Sequence, residues 1–162
     1  MFNIFKKEKK SMPIIKSPLT GRIIDLEEVP DQVFANRVVG DGIAIEPTDN
    51  ILYSPVEGEI KQLFPTMHAV GIETKEGLEV LLHIGINTVE LDGEGFSKFV
   101  SQGDQIKEGT KLIEFDLDYI EKNATSTVTP ILITNLEDSQ EIELIADSEV
   151  EVSTELFKVI ET

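Results

Sequence analysis

The shortness of the apolar runs constrains this chain most. Ile14-Ile15, Gly21 to Ile24, Gly42 to Ile45, Gly58 to Ile60, Val70 to Ile72, Val80 to Leu82, Lys111 to Ile113 and Val128 to Ile133 are rich in Ile, Val and Leu. Turn signals separate them: Ser17-Pro18, Asp41-Gly42, Thr48-Asp49-Asn50, Ser54-Pro55 and Gly103-Asp104. Breaks about every eight to twelve residues suit strands and leave no room for a long helix. The pattern predicts an all-β chain, an antiparallel β-sandwich or barrel-like fold of short strands with a few short helical turns. Two such turns are expected, at Gly95 to Val100 and at Asp118 to Asn123, where Asp118 stands three residues before Glu121 as in a capping box.

A short pattern occurs twice. Ser17-Pro18-Leu19-Thr20-Gly21-Arg22-Ile23 and Ser54-Pro55-Val56-Glu57-Gly58-Glu59-Ile60 share S-P-x-x-G-x-I, 37 residues apart. Two copies predict duplicated hairpin units inside one domain, since a solenoid needs at least three repeats.

At 162 residues the length suits one domain, expected over residues 14–162 behind a flexible basic tail at 1–13. The net charge of −17 would repel phosphate backbones, so nucleic acid is not an expected partner. The absence of cysteine excludes disulfides, thiolate metal sites and thiol catalysis. No stretch reaches the ~18 apolar residues of a membrane span, and the expectation is a freestanding cytoplasmic protein. Residues 1–16 carry five lysines against Glu8, a net +4, which leaves −21 on the rest. With Met1, Phe2, Ile4 and Phe5 ahead of the lysines, residues 1–10 could touch an anionic membrane surface weakly, placing the protein peripherally at the inner face. The alternative is a disordered, solubilising tail.

The chain has two histidines, His68 and His83, on either side of an apolar run, a turn and a second apolar run. If the hairpin reverses symmetrically about Lys75-Glu76, residue 73 faces 78, 70 faces 81 and 68 faces 83. The imidazoles would then be directly opposed, with Cβ atoms about 5 Å apart. A three-residue turn would shift that register. A neutral imidazole, with a reference pKa of ~6.5, can accept a phosphoryl group near pH 7. A second ring can donate a hydrogen bond to the phosphoryl oxygens, and Thr66 lies close enough in sequence to support it. Two other readings stay open: inert strand histidines, and a metal site that two imidazoles leave incomplete. Gly-x-Ser-x-Gly, a P-loop and a helix-opening Gly-x-Gly-x-x-Gly are all absent.

Several segments together resemble one family. Pro30-Asp31-Gln32-Val33-Phe34-Ala35, Val39-Gly40-Asp41-Gly42-Ile43-Ala44-Ile45, Phe64-Pro65-Thr66-Met67-His68-Ala69 and Leu82-His83-Ile84-Gly85-Ile86-Asn87-Thr88-Val89 are similar to the glucose-type enzyme IIA of the bacterial phosphoenolpyruvate:sugar phosphotransferase system. Leu91 to Phe96 and Thr129-Pro130 continue the match over roughly residues 14–160. The resemblance implies a β-sandwich phosphocarrier in which His83 takes phosphate from the phosphocarrier protein HPr and passes it to a cysteine of an enzyme IIB domain. It implies that His68 steadies the phosphoryl group, with Thr66 behind it. Partners would meet a ring of Val33, Phe34, Val38, Val39, Phe64, Leu81 and Val89, with Asp31, Asp41 and Glu90 as an acidic rim. Asn87 stands where the family usually has Asp, which removes a rim charge.

The family also implies regulatory binding of permeases or sugar kinases by the unphosphorylated form. It requires no cofactor, although some members share zinc between the two histidines and a partner carboxylate. Glucose, a β-glucoside, sucrose, trehalose or an amino sugar are the candidate sugars. A purely regulatory binding protein and a metal-dependent enzyme are the rival classes; retention of both histidines argues against the first.

Overall fold

The computed structural model describes residues 12–162, so the expectations for residues 1–10 lie outside the described residues. Fourteen strands run in the order β1 (Ile15–Lys16), β2 (Gly21–Ile24), β3 (Asp41–Pro47), β4 (Ile51–Tyr53), β5 (Gly58–Leu63), β6 (Ala69–Glu73), β7 (Glu79–His83), β8 (Phe96–Lys98), β9 (Gln105–Ile106), β10 (Lys111–Phe115), β11 (Thr129–Ile133), β12 (Gln140–Leu144), β13 (Glu149–Val150) and β14 (Glu155–Glu161). Among the described residues there are also two short helices, α1 (Gln32–Ala35) and α2 (Leu117–Asn123), and 3-10 turns at Leu26–Glu28 and Thr88–Leu91. The strand pairing is antiparallel, as the all-β expectation required.

An eight-stranded sheet has the order β13-β2-β3-β11-β7-β6-β5-β9, and two three-stranded sheets have the orders β1-β14-β12 and β4-β10-β8. The expected duplication is visible in their hydrogen bonds. Ser17 Oγ donates to the Leu19 carbonyl and Ser54 Oγ to the Val56 carbonyl, both at 2.6 Å. The two copies also clasp each other, Lys16 N–H on Pro55 O and Tyr53 N–H on Pro18 O, both at 3.0 Å. Reciprocal contacts of equal length make the two S-P-x-x-G-x-I units halves of a pseudo-two-fold arrangement.

Strand alternation divides the apolar residues into two layers. Ile43, Ile45, Val80, Leu82, Ile131 and Ile133 point into the main core, where they meet Ile15, Leu52, Leu112, Phe115 and Phe157 from the smaller sheets. Ala44, Leu81 and Leu132 point the other way and are covered by Ile24, Leu26, Val29, Phe34 and Val39. The segment from Ile24 to Val39 thus packs over the outer face of the large sheet and carries α1 with it.

Two local expectations are corrected. Phe96–Lys98 forms β8, paired with β10 through Phe96↔Phe115 and Lys98↔Ile113, instead of the helical turn expected at Gly95 to Val100. Phe96 is buried while Ser97 and Lys98 are exposed, so pairing decided the conformation. Helix α2 exists, but Asp116 caps it by accepting from Tyr119 N–H at 3.0 Å. Asp118 lies inside the first turn and forms no capping box with Glu121.

Candidate functional site

The β6–β7 turn sets the histidine geometry. Thr74 N–H bonds Leu78 O at 3.0 Å and Gly77 N–H bonds Thr74 O at 2.9 Å, leaving a three-residue turn, Lys75-Glu76-Gly77. Gly77 has φ +96°, the left-handed conformation that such a turn needs at its last position. The register therefore pairs Val70 with Leu82 and Ala69 with His83, so the directly opposed His68–His83 pair is corrected by one residue.

Even so, the two imidazoles meet, with ring centroids 4.9 Å apart and planes at 80°. His68 precedes β6 and follows Met67, whose φ of +60° turns the backbone, so strand alternation no longer dictates where its side chain points. His83 ends β7 on the same outer face as Leu81. A phenylalanine backs each ring: Phe34 lies 4.8 Å from His83 and Phe64 lies 5.3 Å from His68, centroid to centroid.

Hydrogen bonds at Nδ1 orient both rings. His83 Nδ1 lies 2.8 Å from the Gly85 carbonyl. A carbonyl can only accept, so Nδ1 carries the proton and Nε2 of the neutral ring keeps its lone pair. His68 Nδ1 lies 2.6 Å from Thr66 Oγ1, a hydroxyl able to donate or accept.

Burial lowers the pKa of both histidines. His68, 4% exposed, is pushed from 6.5 down to about 4, by burial first and the neighbouring His83 second. His83 is also lowered by burial, with the Gly85 hydrogen bond and the Asp31 carboxylate opposing. Both rings are therefore neutral at pH 7, the form in which a ring nitrogen can act as nucleophile. As pH falls from 6.5 toward 4, the unfolded chain takes up a proton that folded His68 refuses, so stability is lost across that window and the loss levels off below it. At ~1.4 kcal/mol per pKa unit the loss is at most about 3 kcal/mol. Urea unfolding of wild type and His68→Gln at pH 7 and pH 4.5 should show the variant losing less; equal losses would refute the assignment.

The ring of apolar residues expected around the site divides. Phe34, Val39 and Leu81 are support, packed in the outer-face cluster, and Phe64 is half-buried. Val33, Val38 and Val89 are exposed at 48%, 72% and 51%. Asp31 caps α1, its Oδ1 accepting from Val33 N–H at 2.9 Å and Phe34 N–H at 3.4 Å, and so fixes the element that brings Phe34 to His83. Asp41 is bound by Arg37 Nε at 2.9 Å, which neutralises part of the acidic rim, while Glu90 is exposed. Asn87 adopts φ +63° and donates from Nδ2 to Thr125 Oγ1 at 2.6 Å, a local tie that accompanies the lost rim charge.

Sequence reasoning missed the Gly85 carbonyl; its signal was a glycine two residues after a histidine at a strand end. No group of three or more His, Cys, Asp or Glu side chains able to hold a metal occurs among the described residues. A zinc ion at the free imidazole nitrogens would need a partner's ligands to complete it.

The family model for the phosphoenolpyruvate-dependent sugar phosphotransferase system, EIIA 1, matches residues 13–139. The chain is 48% identical over 162 residues to the PTS system glucose-specific EIIA component of Bacillus cereus, covering 96% of this chain and 98% of that one. It is 51% identical over 133 residues to the glucose-specific EIICBA component of Staphylococcus saprophyticus, covering 82% of this chain and 20% of that one. The solved glucose permease IIA from Mycoplasma capricolum superposes with a TM-score of 0.87 at 41% identity, covering 93% of this chain and 96% of that one. The antiparallel sandwich is therefore a known one, and the chain belongs to the EIIA 1 family of the phosphoenolpyruvate-dependent sugar phosphotransferase system, the glucose-type enzyme IIA.

Proposed function

We propose that this chain is a phosphocarrier that takes a phosphoryl group from phospho-HPr on His83 and passes it to an enzyme IIB cysteine. The observation that carries this is the Nδ1–H of His83 held on Gly85 O, which presents Nε2 as the nucleophile. The Nε2 lone pair forms the new P–N bond while the P–N bond in HPr breaks and its electron pair returns to the HPr imidazole. The His83 ring then bears positive charge, which the Gly85 carbonyl stabilises through Nδ1–H. In the onward step the IIB thiolate attacks phosphorus and His83 leaves as neutral imidazole.

His68 donates from Nε2 to a phosphoryl oxygen when Thr66 donates its hydroxyl to Nδ1, the tautomer that its 2.6 Å contact allows. Exposed Val33, Val38 and Val89 supply an apolar contact that excludes water, with Asp31 and Glu90 facing basic partners.

The EIICBA relatives, in which an A part shares a chain with C and B parts, favour a IIB partner. The names of the similar EIIA components favour glucose as the sugar, while one EIICBA relative is glucoside-specific, consistent with sugar choice residing in the membrane partner. A cytoplasmic location fits transfer between such partners, and no described helix is long and apolar enough to cross a membrane. Binding of permeases or sugar kinases by the unphosphorylated form, and zinc completed by such a partner, are secondary expectations of this reading.

The test is phosphorylation with labelled phosphoenolpyruvate, enzyme I and HPr, followed by mapping of an acid-labile, base-stable adduct. An adduct on His83 is expected; its absence from the wild-type protein overturns the reading. Deleting residues 1–10 should leave acceptance from HPr unchanged and lower sedimentation with anionic vesicles. Equal vesicle binding by the full-length and truncated proteins would remove the membrane role of the tail.

A further inference from the structure

Helix α1 ends in a turn of the kind that usually employs glycine. Arg37 N–H bonds Phe34 O and Val38 N–H bonds Val33 O, both at 3.0 Å, which are the paired bonds of a Schellman motif. That motif needs a left-handed residue just past the helix, and Arg37 fills the position with φ +60°. Glycine takes this conformation freely, whereas a Cβ disfavours it. The Arg37 side chain supplies compensation. Its Nε donates to Asp41 Oδ1 at 2.9 Å and its Nη1 to Glu27 Oε1 at 3.2 Å. Asp41 opens β3 and Glu27 belongs to the Leu26–Glu28 turn, so one guanidinium ties the end of α1 to two other segments.

The same turn carries exposed apolar surface at the rim of the site. Val33 is 48% and Val38 72% exposed. They occupy the two positions whose side chains commonly meet in a Schellman motif, and the Val38–Val33 backbone bond fixes their spacing. On one side the turn is anchored by Phe34, whose ring lies against His83. On the other side Gly40 runs so close to β11 that a Cβ would stand 2.5 Å from Ile133 O. Both ends are thus seated on the large sheet, and Arg37 lies between them.

We propose that Arg37 is a positioning residue for partner docking: its two ion pairs hold the left-handed turn, and the turn presents Val33 and Val38 as one preformed apolar contact. The identity of the partner, phospho-HPr, rests on the phosphocarrier reading; the role of Arg37 in the turn does not. Side chains ordered beforehand lose less freedom on association, so the contribution falls on affinity. Arg37 forms no bond to either histidine, so the rate of transfer within the docked pair is left alone.

Two substitutions at this exposed position separate the turn from the charge. Arg37→Ala removes both ion pairs and keeps a Cβ, whereas Arg37→Gly removes them but adopts the turn freely. Transfer from labelled phospho-HPr at varied concentration separates KM from the maximal rate, and hydrogen exchange of the Val38 amide reports the turn. Arg37→Ala is expected to raise KM about fivefold at unchanged maximal rate, roughly the cost of ordering one or two side chains on docking. It should also speed Val38 exchange severalfold. Arg37→Gly should keep the Val38 amide protected and recover most of the KM. Were charge alone at work, both variants would lower KM equally, because each removes a cation from a face that meets a basic partner. That result, an unchanged KM in Arg37→Ala, or unchanged Val38 exchange in it, overturns the proposal. If wild type accepts no phosphate, the phosphocarrier reading fails and the exchange rates alone decide. Fast exchange in Arg37→Ala with protection in Arg37→Gly would then uphold the positioning role, and equal rates in wild type and Arg37→Ala would end it.

Discussion

His83→Ala should carry no acid-labile, base-stable label after incubation with phosphoenolpyruvate, enzyme I and HPr, while His68→Gln should still be labelled. Alanine removes the Nε2 lone pair, and no other described side chain offers an imidazole in its place, since His68 is the second and last in the chain. Glutamine at 68 keeps an N–H of similar reach, so acceptance survives. It cannot reproduce the ring's 80° edge contact with His83 or take the Thr66 hydroxyl at a ring nitrogen. Loss of a preorganised donor to a transferring group costs ~10²–10³ in rate, so transfer from the labelled variant to a IIB domain should slow by about that factor. Rapid onward transfer from His68→Gln would refute the assigned role of His68, and label on His83→Ala would refute that of His83.

The second large effect is expected at Gly85. Its φ is +71°, and a Cβ there would stand 2.7 Å from Thr88 Cγ2 and 2.9 Å from the Ser126 carbonyl oxygen. That oxygen accepts from Ile86 N–H and has no freedom to retreat. Left-handed backbone costs an L-residue ~1–2 kcal/mol, and forcing extra atoms into a packed site costs ~1–3 kcal/mol. Gly85→Ala should therefore lose about 3 kcal/mol of unfolding free energy, roughly 10 °C in Tm for a domain of this size. It should also lose phosphate acceptance, because the displaced carbonyl no longer meets His83 Nδ1. Gly77→Ala is the control: its φ is +96° but nothing lies within 4 Å of the added Cβ, so strain alone applies and about 1 kcal/mol is expected. Equal losses for the two variants in urea unfolding would show that backbone strain, not crowding at the site, governs both.

The strand positions were legible because each apolar run was short and bounded by turn residues. Gly42 to Ile45, Val70 to Ile72, Val80 to Leu82 and Val128 to Ile133 all fall in strands or overlap them by most of their length. Phe96–Lys98 was not legible as a strand, since three residues carry too little periodicity and its conformation comes from pairing with β10, seventeen or so positions away. The acidic, exposed β12 was missed for a similar reason: Glu141 and Glu143 alternate with Ile142 and Leu144, but its conformation depends on pairing with β14.

The site divided along the same line. Residue types and motifs singled out the side chains suited to the proposed chemistry: two imidazoles and a nearby threonine hydroxyl, with no thiol to compete and a metal site left open as a rival. They could not settle how those groups meet, because that depends on contacts between residues distant in the chain. One extra residue in the Lys75-Glu76-Gly77 turn moved His83 opposite Ala69, and the left-handed Met67 brought His68 back to it. The proton on Nδ1 depends on a carbonyl two residues along, and the wall behind His83 is Phe34, 49 positions earlier and held there by the Asp31 cap. Local propensity is encoded in a few neighbouring residues, whereas register, tautomer and enclosure arise when strands from separate parts of the chain are pressed together.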